Sequence, residues 1–167
     1  MRVYIPVTLA MLADLVADGV LHAVNGTAFA VTPALREAYA SGGDEDLAEV
    51  ALREAARASL RLLAAAGDAA AGLPTRRAVL VADADDVRAR PDLDDAVVRL
   101  GAPVRLTDVV AAYVDIADAE PAVTAAISAI DAADLGDEDA ELTVGDAEDH
   151  DLAWYATQEL PFLLELL

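Results

Sequence analysis

Two carboxylates follow an uninterrupted apolar segment in the middle of the chain. That segment, 78–82, reads A-V-L-V-A, which is typical of a strand buried on both faces. Asp83 and Asp85 come directly after it, with one residue between them. Ligands of open α/β sheets bind at the carboxyl ends of strands, where paired carboxylates can hold Mg²⁺. The spacing therefore predicts one candidate chemistry: a divalent-metal-dependent hydrolase or phosphotransferase that uses Asp83 and Asp85, with Asp115 or His150 as a further group.

The same segment resembles a known motif. A-V-L-V-A-D-A-D-D-V, over Ala78–Val87, is similar to the first motif of haloacid-dehalogenase-type phosphotransferases. The resemblance implies that Asp83 attacks phosphorus, that Asp85 acts as acid/base, and that Mg²⁺ bridges to the phosphate. The chain departs from the motif because no glycine follows the second aspartate and because it contains no lysine to neutralise the phosphoryl group. A solvated acidic turn after a buried strand is the competing interpretation, and we favour it.

His150 is a third candidate for catalysis. It lies between Asp149 and Asp151, just before the aromatic pair Trp154-Tyr155. A flanking carboxylate could orient its imidazole as a general base. The structural alternative is that His150 caps or cross-links the loop that contains it.

The acidic segment from 134 to 151 contains the candidate metal ligands of the C-terminal region. Asp137, Asp139 and Glu141 have the spacing of the first ligands of a calcium loop. Leu142 occupies the position where such a loop needs glycine, so an EF-hand is excluded. Together with Asp83 and Asp85, these residues remain candidates for a surface ion site, and a solvated, charged connection is the alternative.

The composition excludes several classes of function. The chain has 167 residues, 31 of them acidic and 11 basic, no cysteine, and a formal net charge of −20. The lack of cysteine excludes thiol nucleophiles and thiolate zinc sites, and the lack of lysine excludes Schiff-base chemistry. We predict no cofactor, and Mg²⁺ only under the metal-dependent alternative. No apolar run approaches the length of a membrane span, so we expect a cytoplasmic protein without a membrane contact.

Short apolar strands alternate with helical segments along the chain. The sequence predicts strands at 3–6, 28–31, 78–82, 109–116 and 151–155, with a further one at 142–144. It predicts helices at 9–17, from 33, at 44–66, 93–100, 119–132 and 159–166, and a loop at 67–75. Thr157 is the predicted cap of the last helix. This alternation favours a single α/β domain over 1–167, with a parallel or mixed sheet of about four to six strands covered by helices. The acidic segment at about 134–151 is predicted to be a connection within that domain.

Four segments resemble a family of uncharacterised actinobacterial cytoplasmic proteins. They are Met1–Thr8, Val24–Tyr39, Asp92–Leu100 and His150–Leu160. The resemblance spans essentially the whole chain. It implies a one-domain bacterial protein, and it assigns no activity, cofactor or catalytic residue.

The sequence favours a non-enzymatic interaction or regulatory module, because it contains no complete catalytic signature. A net charge of −20 predicts a basic protein partner and opposes direct binding of nucleic acid. The apolar C-terminal segment 160–167 predicts either docking onto the sheet or a contact between copies in a homo-oligomer. Metal-dependent chemistry and acidity as an adaptation to salt remain the alternatives.

Overall fold

The computed structural model describes residues 1–67 and 72–167, so the predicted loop at 67–75 lies partly outside the described residues. The strands are β1 (Arg2–Val7), β2 (Val20–Leu21), β3 (Thr27–Phe29), β4 (Ala78–Asp83), β5 (Val87–Ala89), β6 (Val97–Leu100), β7 (Val104–Arg105), β8 (Val109–Val114) and β9 (Ala153–Ala156). The helices are α1 (Leu9–Asp18), α2 (Pro33–Ala38), α3 (Asp44–Ala66), α4 (Glu120–Asp134), α5 (Glu138–Glu148) and α6 (Leu160–Glu165).

Seven strands form one antiparallel sheet in the order β5-β6-β3-β1-β4-β8-β9. β2 and β7 form a separate two-stranded ladder. The α/β class is confirmed, but the predicted parallel or mixed sheet of about four to six strands is wrong in direction and size. Helices cover both sides of the sheet, so β4 is buried on both faces although its neighbours are antiparallel. An apolar run alone therefore does not indicate a parallel strand.

The buried apolar residues form three clusters, one on each face of the sheet and one between α3 and the next two helices. On one face, α1 and α6 enclose a core that includes Ile5 and Leu80. On the other face, α3 covers Phe29 and Val79. α4 and α5 form a helical hairpin that packs against α3 around Ile130. α3 therefore lies between the sheet and the hairpin, and its position controls the surfaces on both sides.

Local capping signals set the helix boundaries that the sequence predicts. Thr8 Oγ1 accepts a hydrogen bond from the Met11 N–H at 3.2 Å, and Gly19 ends α1 at a φ of 78°. Thr32 Oγ1 accepts from the Leu35 N–H at 3.1 Å, with proline in the first turn of α2. α3 begins and ends where the pattern of apolar residues predicts.

The acidic segment at 134–151 is not the connection that the sequence predicts. It contains α5, and the strand predicted at 142–144 is wrong. Asp137 caps α5 by accepting from the Ala140 N–H at 2.8 Å. Ala140, Val144 and Ala147 are buried, and their spacing of four and three residues is that of one helical face. The acids on the remaining faces are solvated, so their charge does not prevent the helix.

Two further boundaries differ from the prediction. The segment 93–100, predicted to be a helix, ends in β6, because Val97 and Val98 pair with β3 and are buried there. At the C-terminus, the Thr157 hydroxyl donates to the Val109 carbonyl at 2.9 Å and does not cap α6. In both places a contact distant in sequence overrides a local helix signal.

The apolar C-terminal segment docks onto the domain. Leu160 and Leu163 of α6 join the core beside α1, which confirms the docking alternative. Phe162 and Leu166 are exposed on the outer face of α6, so a contact between copies stays a prediction. Within the described residues, no helix combines the length and the apolar character that crossing a membrane requires.

One buried ion pair joins three parts of the chain. Arg77, just before β4, is 2% exposed, and Asp115, just after β8, is fully buried. Arg77 donates to Asp115 through Nε at 2.9 Å, through Nη2 at 2.7 Å and through its backbone N–H at 2.7 Å. Nη2 also donates to the His150 carbonyl at 2.8 Å. The pair therefore fixes the start of β4, the end of β8 and the loop before β9.

A buried hydroxyl next to this pair ties α3 to the sheet. Ser59 Oγ donates to the Val7 carbonyl at 2.8 Å and accepts from the Ala78 N–H at 3.1 Å. Val7 and Ala78 are direct partners at the end of the β1–β4 ladder. The hydroxyl therefore binds a backbone group of each residue in this last pair, so α3 is fixed next to the buried ion pair.

We expect Asp115→Ala to lower the free energy of unfolding by about 3–5 kcal/mol, because the Arg77 guanidinium would be buried without its counter-charge. Urea denaturation at neutral pH measures the change. Asp108→Ala is the matched control, since it removes the partner of the exposed Arg105. That change should cost less than about 1 kcal/mol. Equal losses in the two variants would contradict the importance of the buried pair.

Candidate functional site

A cleft of about 490 Å³ lies between α3 and the sheet, and we call it the acid-rimmed cleft. The first half of α3 forms one wall and the loop between α5 and β9 forms the other. β1 and β8 provide the floor. The volume lies within the range of small-ligand sites and accommodates one or two amino-acid side chains.

The floor of the acid-rimmed cleft is aromatic. Tyr4 of β1 is opposite Val81, and Tyr113 of β8 is opposite Val79, so both tyrosines share one face of the sheet on either side of β4. Burial raises the pKa of the Tyr4 phenol, and the neighbouring Tyr113 raises it further. Tyr4 is therefore neutral throughout the physiological pH range. A tyrosine ring offers apolar area, a polar tip and a face that attracts cations.

The buried guanidinium of Arg77 also reaches the acid-rimmed cleft. Its Nε and Nη2 are held by Asp115 and by the His150 carbonyl. Across residues 1–67 and 72–167, Nη1 has no hydrogen bond, and Arg77 lines the cleft although its side chain is only 2% exposed. Because Asp115 neutralises the charge, Nη1 offers a hydrogen-bond donor without net positive charge. Such a donor suits a neutral carbonyl oxygen.

Carboxylates form the rim. Glu45 and Glu49 lie on the first turns of α3, and Glu148 and Asp151 lie on the opposite wall. Glu49 and Glu148 each contact an arginine of α3. In the part of the chain that the structure describes, Glu45 and Asp151 have no ion-pair partner. The rim therefore carries uncompensated negative charge on both walls.

Arg57 of α3 positions the α5 side of the rim. Its Nη1 donates to Glu141 and to Glu148 at 2.9 Å each, and its Nη2 reaches Asp134 at 3.4 Å. The hydrogen bonds with Glu141 raise the pKa of Arg57 and lower the pKa of Glu141. Hydrogen bonding from Arg61 lowers the pKa of Asp134. These groups are charged throughout the neutral range, and their contacts fix the hairpin, and so Glu148, to α3.

His150, a candidate from the sequence, does line the acid-rimmed cleft. It is half-buried, its carbonyl accepts from Arg77, and its backbone N–H donates to the Ala147 carbonyl at 3.1 Å. Within the described residues, its imidazole donates no hydrogen bond to the carboxylate of Asp149 or Asp151. Its role as a general base stays a prediction.

The structure separates the strand-end aspartates from the other candidates. Asp83, at the end of β4, forms an exposed ion pair with Arg2 at 3.2 Å, and Asp85 lies in the exposed turn that follows. Asp115 lies next to Arg77 at the opposite end of β4. Asp83 and Asp85 are therefore not brought together with Asp115. Within the described ranges, no group of three or more His, Cys, Asp or Glu residues is arranged to hold a metal ion.

The remaining candidate metal ligands lie on or before α5. Asp137 caps the helix, Glu141 is bound by Arg57, and Asp139 is exposed in the first turn. Two of the three carboxylates thus have structural partners. Binding of an ion by these residues stays a prediction.

Sequence reasoning did not assign Arg77, Tyr4 or Tyr113 to a site. One signal was present: Arg77 directly precedes an apolar strand and Asp115 directly follows another. A charge at the end of a buried strand must find a partner, so the two could have been matched. The tyrosines gave no comparable signal, because their shared position on one face depends on the strand order.

We expect Arg57→Met to lower the free energy of unfolding at neutral pH by about 1–2 kcal/mol, because three carboxylates lose their shared partner. The pKa values of Asp134 and Glu141 are lowered in the folded protein. Their stabilisation is therefore present above the unfolded pKa, about 4, and is lost as pH falls through the folded values. Urea denaturation between about pH 3 and pH 7 measures this dependence.

The matched control is Arg53→Met, which removes a more exposed arginine of α3 with a single carboxylate partner. This variant should lose less than about 0.5 kcal/mol and show little change with pH. A constant difference between Arg57→Met and the unmodified protein down to about pH 3 would contradict the electrostatic role of Arg57.

Comparison with known proteins identifies a family. The sequence model of a family of unknown function, DUF6912, matches residues 1–164. Searches of curated proteins and of solved structures gave no significant match. The matched range contains all the strands given above and the whole acid-rimmed cleft. The resemblance to an uncharacterised family is thus confirmed, and the chain belongs to the DUF6912 family of unknown function.

Proposed function

We propose that this protein is a non-enzymatic interaction module that binds a basic segment of a partner protein in the acid-rimmed cleft. The observation that carries the proposal is the combination, in one cleft, of an aromatic floor and a rim with unpaired carboxylates. Tyr4 and Tyr113 provide the floor, and Glu45 and Asp151 provide the unpaired charge.

The chemistry of the cleft suits an arginine or lysine side chain. The methylene stem of such a side chain would pack on the tyrosine rings, and its charge would lie at the rim. The Arg77 Nη1 would donate to a backbone carbonyl of the same segment. A ligand with net negative charge would meet repulsion from both walls. A basic peptide therefore matches Glu45 and Asp151, the two carboxylates of the rim without an ion-pair partner.

The charge of the whole chain supports the same class of partner. A net charge of −20 raises the rate at which a basic protein finds the surface and repels nucleic acid. Charge alone does not select a site, because exposed acids are spread over the α4–α5 hairpin as well. The tyrosine floor and Arg77 distinguish the acid-rimmed cleft from the rest of the acidic surface.

We expect a capped peptide with three arginines to bind the protein, and a glutamine version of the peptide to bind far more weakly. The triple variant Glu45→Gln, Glu49→Gln and Asp151→Asn should weaken binding of the arginine peptide by about ten-fold or more. The loss should shrink as salt increases, because salt screens the rim. Isothermal titration calorimetry at low and moderate salt measures both effects.

The matched control removes three charges elsewhere: Asp131→Asn, Asp139→Asn and Asp146→Asn. These aspartates are exposed on the α4–α5 hairpin. The control variant has the same net charge as the cleft variant and should retain at least about half of the affinity. Equal weakening in the two variants would show that the peptide binds the acidic surface without selecting the cleft.

We expect Tyr113→Leu to weaken binding of the arginine peptide by about three- to ten-fold, because the cation loses an aromatic face. Tyr113→Phe should retain most of the affinity, since the ring remains. The salt dependence of binding should not change in either variant, because no charge is removed. Calorimetry on the two variants checks this, and an equal loss in both would contradict contact between the cation and the ring.

A further inference from the structure

Two arginines without an ion-pair partner lie side by side on adjacent strands, at the edge of the sheet opposite to β9. Nine of the 11 arginines form ion pairs within the described residues, and Arg88 and Arg99 do not. Arg88 of β5 and Arg99 of β6 are direct partners in the strand register. Their side chains therefore leave the same face of the sheet. A chain with 31 acidic residues offers many possible partners, so composition does not explain this pairing of like charges.

The arrangement is unfavourable without a ligand. Directly opposite residues have Cβ atoms about 4.5–5.5 Å apart, and like charges at that position destabilise a sheet. Arg99 Nε is also buried with no hydrogen-bond partner among the described residues. A buried N–H group without an acceptor loses its hydration and gains nothing in return. An anion between the two guanidinium groups would remove the repulsion between them.

These arginines lie in an open cleft of about 710 Å³ between two tight loops. We call it the arginine cleft. The Asn25-Gly26 turn packs on β6, and Gly26 has a φ of 66°. A Cβ on Gly26 would lie 2.9 Å from the Leu100 carbonyl oxygen, so only glycine allows this approach. On the other side, Gly101 donates to the Asp86 carbonyl at 2.9 Å. The backbone on both sides therefore holds the Arg99 end of β6 in place.

The local charge of the arginine cleft is opposite to that of the protein. Arg88, Arg90 and Arg99 line it together with a single carboxylate, Asp86. Arg90 is bound by Asp92 through two hydrogen bonds of 2.9 and 2.7 Å. Within the described residues, Asp86 forms no ion pair with any of the three arginines. Arg88 and Arg99 are thus the groups free to bind an anion.

We infer that Arg88 and Arg99 bind the phosphate group of a small phosphate monoester. A phosphate monoester carries close to two negative charges at neutral pH and has three acceptor oxygens, which match two guanidinium groups. A single carboxylate would neutralise only one arginine. A long polyanion such as nucleic acid would be repelled by the rest of a chain with a net charge of −20. This site is separate from the acid-rimmed cleft and does not depend on its function.

A neighbouring groove provides a place for the organic part of the ligand. It has a volume of about 340 Å³ and lies between the Asn25 turn and α3. Phe29, Leu62 and Val97 give it apolar surface, while Glu54, Arg61 and Asp94 line it as well. It shares Asn25 with the arginine cleft. Thr27 of β3, directly opposite Arg99, also lines the groove. The site should therefore prefer a monoester with an apolar body to inorganic phosphate.

NMR titration at constant ionic strength, with inorganic phosphate and with phenyl phosphate, tests the inference. Both probes should shift the amide signals of β5, β6 and the 25–26 turn in a saturable way. Phenyl phosphate should bind at least about five-fold more tightly than inorganic phosphate, because its ring enters the groove. Arg88→Gln and Arg99→Gln should each weaken binding of both probes by about ten-fold or more.

Arg36→Gln and Arg105→Gln are the matched controls, since each removes one exposed arginine outside the arginine cleft. They should leave binding unchanged. Arg88→Gln also removes a repulsion, so thermal stability without phosphate should be unchanged or higher, which separates lost binding from lost folding. Equal weakening in the controls, or no saturable shift up to about 20 mM of either probe, would overturn the site. Equal affinity for the two probes would overturn the role of the groove.

Discussion

The buried ion pair between Arg77 and Asp115 is the constraint on which the rest of the structure depends. It lies where β4 begins and β8 ends, and the Arg77 Nη2 also donates to the His150 carbonyl. Ser59 places α3 against the same end of β4. Burial of two charges is costly, and only mutual pairing with further hydrogen bonds compensates for it. Strand alignment, helix position and the loop before β9 are therefore fixed together.

The acid-rimmed cleft is a consequence of this constraint. Its walls are α3 and the loop that carries His150. Arg77 binds the loop, and Ser59 ties α3 to Ala78, the residue next to Arg77. Arg77 thus has two roles, because it holds the loop wall through the His150 carbonyl and lines the space between the walls. Arg57 adds a second attachment, from α3 to Glu148, on the outer side of the cleft. A cleft held at two points is pre-organised, so little ordering of the protein opposes binding of a partner segment.

The parts of the fold that depend on neighbouring residues could be predicted from the sequence. α1 is an example, since Thr8 and Gly19 mark its ends through local backbone contacts. The strand order and direction could not be predicted, because pairing depends on contacts between distant segments. The partners Arg77 and Asp115 are 38 residues apart, and the segment 93–100 became a strand only because β3 lies beside it. Of the candidate residues, His150 lines the acid-rimmed cleft, but its chemical role stays a prediction. The tyrosine floor was not predicted, because it depends on the strand order.

The central claim is that the acid-rimmed cleft, and not acidity in general, selects a basic partner. An NMR titration of the full chain with an arginine-containing peptide tests it most directly, because each backbone amide reports its own surroundings. The account predicts that the largest saturable shifts occur at Tyr4, at Tyr113 and in the loop at 148–152. It also predicts small shifts on the exposed faces of α4 and α5. Shifts of similar size over the whole acidic surface, without saturation at the cleft, would contradict it.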